Sequence, residues 1–301
     1  MVWLSGAKVT TNRKVMSRTE RTKMGYKVIS LFDGMSGGQI ALKVAGVDVD
    51  VYYASEIKPH AIEQTMNNFP NTQQVGNVHF VNGENFKDCN LLIGGSPCQD
   101  FTSLKIGRKG LEGNKSWLFH EYVRVLKEVK PKYFLLENVA SMKNADRDYI
   151  SKTLGVEPIF INSSDFSAQQ RRRYYWTNIP VDPWDDKGIN LCDIVDYDAE
   201  REENFSEKKM AFVKKKISGT KYVRLDGEKS MPITARGYSA WNTQFVTGNN
   251  GEIRDLTVKE YRKLQTIPDW YKFNCIKSKA TDLIGDGWTI DVVAHIFKNL
   301  K

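Results

Sequence analysis

The chain has 301 residues, enough for one large α/β domain or for a large and a small one with a sizeable core. Hydrophobic residues make up 41% and charged residues 27%, an ordinary globular balance that excludes collagen-like and low-complexity classes. Lysine and arginine exceed the acids by 44 to 36, a net charge of +8. No apolar run reaches the ~18 residues of a membrane span, and the N-terminus lacks the apolar core of a secretory signal, so a cytoplasmic protein is expected.

The positive charge is unevenly placed. Lys8, Arg13, Lys14, Arg18, Arg21, Lys23 and Lys27 face only Glu20, which puts +6 on residues 1–27. Residues 1–26 thus read as a basic arm. Either it holds phosphates without reading sequence, or it is a tail or an over-extended start, with Met16 and Met24 as later starts.

Strand, turn and helix signals then alternate. Lys27–Phe32 reads as a buried strand, Asp33–Gly38 as a turn and Gln39–Ala45 as a helix. Val49–Ser55 is a second strand ending at Glu56, and Pro59–Asn68 a second helix. Asn90–Gly94 is a short strand followed by Gly95-Ser-Pro-Cys98. Ser116–Lys130 is an amphipathic helix, and Lys132–Leu136 a strand that ends at Glu137-Asn138. Such repeats predict an α/β fold with a mostly parallel sheet and crossover helices. Gly34, Glu56, Cys98 and Glu137 all fall at C-terminal strand ends, where ligands of such sheets gather. The core region covers 27–180. Residues 181–254 switch to acidic, basic and glycine-punctuated stretches and read as a small second domain. Residues 255–301 return to helical spacing, at Thr257–Gln265 and Thr289–Lys298.

The glycine turn after the first strand lets backbone approach a ligand, and Glu56, 22 residues past Gly34, suits a ribose diol. There is no Walker-type lysine, so phosphoryl transfer is disfavoured. Read alone, Cys98 is either a nucleophile at a shaped turn or a packing cysteine. Glu137 is either a protonated acid in a dry pocket or an ion-pair glutamate. The spacing of Cys89, Cys98, Cys192 and Cys275, and of His60, His79, His120 and His295, favours neither a metal site nor a disulfide framework. Gln169-Gln-Arg-Arg-Arg173, before Tyr174-Tyr-Trp176, suits phosphate or base contact or is a solvated charge run. If extended, it turns Arg171 and Arg173 to one side.

Taken together and in order, these segments resemble the DNA cytosine-5 methyltransferases. The resemblance rests on Phe32-Asp-Gly-Met-Ser-Gly-Gly38, Gly94-Gly-Ser-Pro-Cys-Gln-Asp-Phe101, Glu137-Asn-Val139 and Gln169-x-Arg171-x-Arg173. It also takes in Leu256–Pro268 and Ile284–Val292, and so covers roughly residues 27–180 and 230–301. Arg108-Lys-Gly-Leu-x-Gly113, Ser167–Trp176 and Trp288 are particularly similar to the de novo-type branch and to short phage and bacterial members.

The resemblance implies a Rossmann-like domain dependent on S-adenosylmethionine, with a small target-recognition domain. It implies methyl transfer to C5 of a cytosine flipped out of duplex DNA, through a covalent bond from Cys98 to C6. Glu137 would hold N3, Arg171 would meet the cytosine O2 and Arg173 would support that pocket. Phe32, Asp33, Gly34, Ser36 and Gly38 would surround the methionine end of the cofactor. Glu56 would hold its ribose and Ile57 would pack on the adenine, with Pro97 and Trp288 lining the rest. Two departures stand out. Asn77 replaces the usual aspartate facing the adenine amine, and Asp286 replaces a common asparagine, where a carboxylate could alter affinity. Within the expected catalytic loop, Leu104 is either a wedge into the vacated stack or an ordinary loop leucine, and Arg108 and Lys109 would hold phosphates. Arg236 either reads guanine or contacts phosphate. No metal is required, any restriction endonuclease would be a separate chain, and the setting would be a bacterial or phage-infected cell. The competing readings are the same chemistry on RNA, a non-catalytic DNA-binding relative and a free-nucleotide methylase.

Overall fold

A computed structural model describes residues 25–96, 117–200, 205–217 and 223–300. The chain enters on β1 (Tyr26–Leu31) and passes through α1 (Gly37–Val44), β2 (Val49–Ser55), α2 (Pro59–Asn68) and the short β3 (Gln73–Gln74). Then come β4 (Leu91–Gly95), α3 (Trp117–Val129), β5 (Tyr133–Val139), α4 (Asn144–Leu154), β6 (Ile159–Asn162) and β7 (Arg172–Thr177). The strands form one seven-stranded sheet in the order β3-β2-β1-β4-β5-β7-β6. The first five pair in parallel, and β7 runs antiparallel to both β5 and β6. This is the expected α/β fold.

Alternation across the sheet fills two core layers. Val28, Leu91 and Ile93 point to one face, and Ile29, Leu31 and Leu92 to the other. α1 and α8 (Ile290–Phe297) pack together over the first face, and Phe119, Tyr122 and Val125 of α3 fill the second. Burial on both faces explains why these strands read as continuous apolar runs. Gly38 lets α1 press on the sheet, because a Cβ there would lie 2.6 Å from the Tyr52 hydroxyl.

Most anticipated elements form, with shifted ends. β5 runs on to Val139 rather than stopping at Leu136. β7 pairs with it as far as Val139↔Arg173, so Glu137 and Asn138 lie within a strand and not beyond its end. α3 stops at Val129, where Lys130 turns left-handed at φ 51°. α6 (Val258–Leu264) starts with a reciprocal cap between Thr257 and Glu260. α4, β6, β7 and α7 (Lys277–Asp286) were not anticipated. The buried face of α4 is only Asp146, Ile150 and Ser151, too polar to make an apolar stripe.

The smaller unit holds α5 (Glu207–Ile217) and a sheet of order β10-β9-β8, made of β8 (Arg224–Leu225), β9 (Gln244–Thr247) and β10 (Ile253–Asp255). Val213, Val223 and Phe245 form its own core, whereas Leu191, Ile194 and Val195 join the main core. Two buried ion pairs tie it down: Lys209–Asp255 at 2.6 Å links α5 to β10, and Arg254–Glu260 at 2.8 Å links β10 to α6. Among the described residues no helix is long and apolar enough to cross a membrane.

Candidate active site

Strand order reverses between β1 and β4, the kind of switch point at whose C-terminal strand ends open α/β sheets bind ligands. The turn after β1 occupies it. Phe32, Gly34 and Ser36 all take left-handed φ, at 58°, 59° and 64°, and the two that are not glycine carry backbone strain of the kind found at ligand sites. A Cβ at Gly34 would meet nothing within 4 Å, so the turn borders open space. Glu56, at the end of β2, braces it. Its Oε2 accepts the Gly34 N–H at 2.8 Å, and its Oε1 accepts those of Ile57 and Lys58 at 2.7 and 2.9 Å. A carboxylate has about four lone-pair positions, so one remains for a ligand hydroxyl.

Asp33 lies buried beneath the turn. Its Oδ1 accepts from the Tyr52 hydroxyl at 2.8 Å, and its Oδ2 is buried without a hydrogen bond. Burial raises the Asp33 carboxyl to about 6, against the opposing pull of the hydroxyls of Ser30, Tyr52 and Ser36. The native protein keeps this proton up to about pH 6, whereas an unfolded aspartate loses it near pH 4. Stability therefore falls as pH rises through that window, by on the order of 3 kcal/mol once the group is ionised. Asp33→Asn is expected to raise the urea midpoint above about pH 7 and to leave it nearly unchanged near pH 4. Equal shifts at both pH values would remove charge burial as the cause.

The second cluster stands at the next strands. Glu137 on β5 pairs in register with Gly95 on β4 and Tyr175 on β7. Its Oε1 meets Arg173 Nε at 2.7 Å, and its Oε2 accepts the Trp288 indole N–H at 3.1 Å. Gly95 makes room for this group, since a Cβ there would lie 2.9 Å from Glu137 Oε2 and 3.0 Å from Trp288 Nε1. Beside it, the Asn138 amide donates to the Ser96 carbonyl at 3.1 Å and hydroxyl at 2.9 Å. Ser96 is the last described residue before the expected nucleophile. Sequence reading noted Asn138 without giving it this bracing role, which its place beside Glu137 could have signalled.

Arg171 and Arg173 divide the work differently from the expectation. Arg171 is buried and donates to the carbonyls of Ile233 at 2.8 Å, Gly285 at 3.2 Å and Gly287 at 2.9 Å. It stitches β7 to the small unit and the C-terminal segment, while Arg173 is the guanidinium that faces Glu137. Gln169, a motif residue to which the sequence assigns no role, and Gln265 extend this hub. Gln169 accepts from Ile233 N and donates to the Leu264 carbonyl and Gln265 Oε1, and Gln265 donates to the carbonyls of Ile284 and Gly287.

The remaining sites fall as follows. Ile57 is exposed, and Asn77 Oδ1 caps a short turn by accepting from His79 N at 3.0 Å. Asp286 does not stand alone as a carboxylate, because Lys58 Nζ pairs with it at 2.5 Å across the chain. Both partners are half exposed, so the pair contributes at most about 1 kcal/mol. Lys58 was not foreseen. Arg236 is exposed at φ 64°, and its backbone N–H donates to Asp282. Pro97, Cys98, Leu104, Arg108 and Lys109 lie outside the described residues. Among the described cysteines, burial pushes the Cys89 thiol up to about 12 and also raises that of Cys275, so neither is poised as a thiolate.

The strained turn after β1 and the acid–arginine–indole cluster on β5 and β7 thus share the C-terminal edge of the parallel sheet, where ligands of such sheets gather. The chain matches the family described as C-5 cytosine-specific DNA methylase over residues 26–193 and 190–301, and it belongs to that family. It is 32% identical over 168 residues to the orphan methyltransferase M.SPRI of Bacillus phage SPR, covering 52% of this chain and 38% of that protein. It is 37% identical to the orphan methyltransferase M.Rho11sI of Bacillus phage rho11s, covering 52% of this chain and 33% of that one. The chain thus spans between a third and two fifths of the length of these phage relatives. The type II methyltransferase M1.ScrFI of Lactococcus lactis subsp. cremoris is 26% identical over 91% of this chain and 78% of its own. In fold, the chain is similar to the Entamoeba histolytica methyltransferase EhMeth, with TM-score 0.76, 16% identity and coverage of 93% and 100%. It is also similar to the Schizosaccharomyces pombe Dnmt2 methyltransferase, with TM-score 0.71, 18% identity and coverage of 91% and 97%.

Proposed function

We propose that this chain transfers a methyl group from S-adenosylmethionine to C5 of a cytosine flipped out of duplex DNA. The observation that carries the reading is the Glu137–Arg173 pair, set one strand from Ser96 and backed by Trp288, in a chain of the cytosine-5 family. The turn after β1 suits the cofactor. The open cradle at Gly34, the spare lone pair of Glu56 and the unbonded buried Oδ2 of Asp33 are groups that a ribose and a methionyl ammonium can engage. Phe32 and Ser36 shape the same turn, Gly38 follows it in α1, and the family resemblance assigns Asn77, Ile57, Pro97, Asp286 and Trp288 to the outer contacts of the cofactor. When bound, the cofactor supplies an electrophilic methyl group.

The residues of this chain prepare the base. Cys98 adds as a thiolate to C6, which makes C5 enamine-like, and it leaves again once the C5 proton has been lost. Glu137 holds N3 and the exocyclic amine, raising the electrophilicity of C6. Arg173 is the group for the cytosine O2, because it faces Glu137, whereas Arg171 is committed to backbone carbonyls. Leu104 fills the stack while Arg108 and Lys109 hold phosphates, and Arg236 on the small unit meets the DNA. The basic arm of residues 1–26 adds phosphate contacts. The protein works in the cytoplasm of a bacterial or phage-infected cell. Two phage relatives are named orphan methyltransferases, and a restriction endonuclease, where one is paired, is a separate chain.

The test is covalent trapping on duplex DNA carrying 5-fluorocytosine, since fluorine cannot leave C5 as a proton does. A denaturation-resistant adduct that is lost in Cys98→Ala is expected. A folded, cofactor-binding protein that traps RNA but not duplex DNA would transfer the chemistry to RNA, and one that traps neither would leave a non-catalytic binder.

A further inference from the structure

Trp288 bonds one half of the site and stands beside the other. Its indole N–H donates to Glu137 Oε2 at 3.1 Å. Its Cβ and ring atom Cε3 stand 4.0 Å from where a Cβ of Gly37, the first residue of α1 after the cofactor turn, would be. An indole has one donor and no acceptor, so this nitrogen can serve only an oxygen that accepts. Arg173 engages the other oxygen of the same carboxylate at 2.7 Å. With one donor on each oxygen and Gly95 backbone packed against the pair, the carboxylate has a single orientation.

The backbone around Trp288 is fixed as well. The Gly287 carbonyl accepts from Arg171 at 2.9 Å and from Gln265 at 3.1 Å. The Thr289 hydroxyl bonds Gln265 Oε1 at 2.7 Å and lies 2.9 Å from the Ser163 hydroxyl. The backbone on both sides of the indole is therefore anchored by buried hydrogen bonds. A residue that only walled the cofactor pocket would need bulk but no aimed N–H.

We infer that Trp288 is a positioning residue for Glu137, orienting its carboxylate toward the base and linking that orientation to the cofactor turn. The inference rests on the proposed methyl transfer for its consequence, but the contact can be tested without it. In the full-length protein with 15N-labelled tryptophan, the Trp288 indole resonance is assigned by its loss in Trp288→Phe. It is expected to move in Glu137→Gln and again when S-adenosylmethionine is added to the unsubstituted protein. A resonance that ignores Glu137→Gln overturns the inference whatever the activity. In single-turnover methylation of duplex DNA, Trp288→Phe keeps the ring and loses the donor. A rate at saturating cofactor lowered about tenfold or more is expected, with the cofactor Kd raised less than about threefold. The reverse split, with weak cofactor binding and an unchanged rate, makes Trp288 a pocket wall and overturns the inference. If the indole resonance responds as expected while no protein, substituted or not, methylates DNA, it is the methyltransferase reading that has failed.

Discussion

Glu137→Gln is expected to slow methyl transfer to duplex DNA by about a hundredfold or more, with little change in cofactor affinity. The variant keeps the size of the side chain and removes its ability to carry a proton to the base. It also breaks the local order. Glu137 receives one donor on each oxygen, Arg173 Nε at 2.7 Å and Trp288 Nε1 at 3.1 Å. A glutamine has one oxygen, so in either rotamer its amide group faces one of these donors and that contact is lost. Single-turnover rates at saturating cofactor read the effect. A rate within threefold of the unsubstituted protein would remove Glu137 from the chemistry and leave it as an ion-pair glutamate.

Arg171→Met is expected to lower unfolding stability by on the order of 3 kcal/mol or more, and to carry activity down with it. The variant fills a similar apolar volume, but it withdraws the donor from the buried carbonyls of Ile233, Gly285 and Gly287. Ile233 and the Gly285–Gly287 segment lie far apart in sequence, and the guanidinium bridges them. Arg171→Lys is expected to recover little, because three donors on one nitrogen cannot span the positions that a planar fork reaches. Urea unfolding followed by circular dichroism measures both. A loss below about 1 kcal/mol for Arg171→Met would show that the carbonyls find other donors, and would return Arg171 to the list of groups free to meet a base.

The elements legible from sequence share a local cause. β1, β2 and β4 are short apolar runs bounded by turn residues. α3 has a regular apolar stripe, and α6 begins with a Thr-x-x-Glu cap. The elements that were missed lack such marks. α7 starts without a side-chain cap, and the strand β7 opens with arginines that look like a solvated charge run. Arg173 is held there because Val139 and Glu137 of β5 pair alongside, a partnership no window of local sequence contains.

By itself, the sequence determined the alternation that makes a parallel sheet, the glycine turn and the acid that ends the next strand, and the ordered motifs that mark the cytosine-5 family. These follow from nearest-neighbour rules of burial, backbone freedom and spacing. Only the tertiary structure decided which arginine faces Glu137, that an indole 151 residues away holds the same carboxylate, and that Lys58 neutralises Asp286 across 228 residues. Those contacts depend on how the C-terminal segment docks on the sheet. That docking is set by summed packing of α1 against α8 and by the Arg171–Gln265 hub, and not by any residue's own preference.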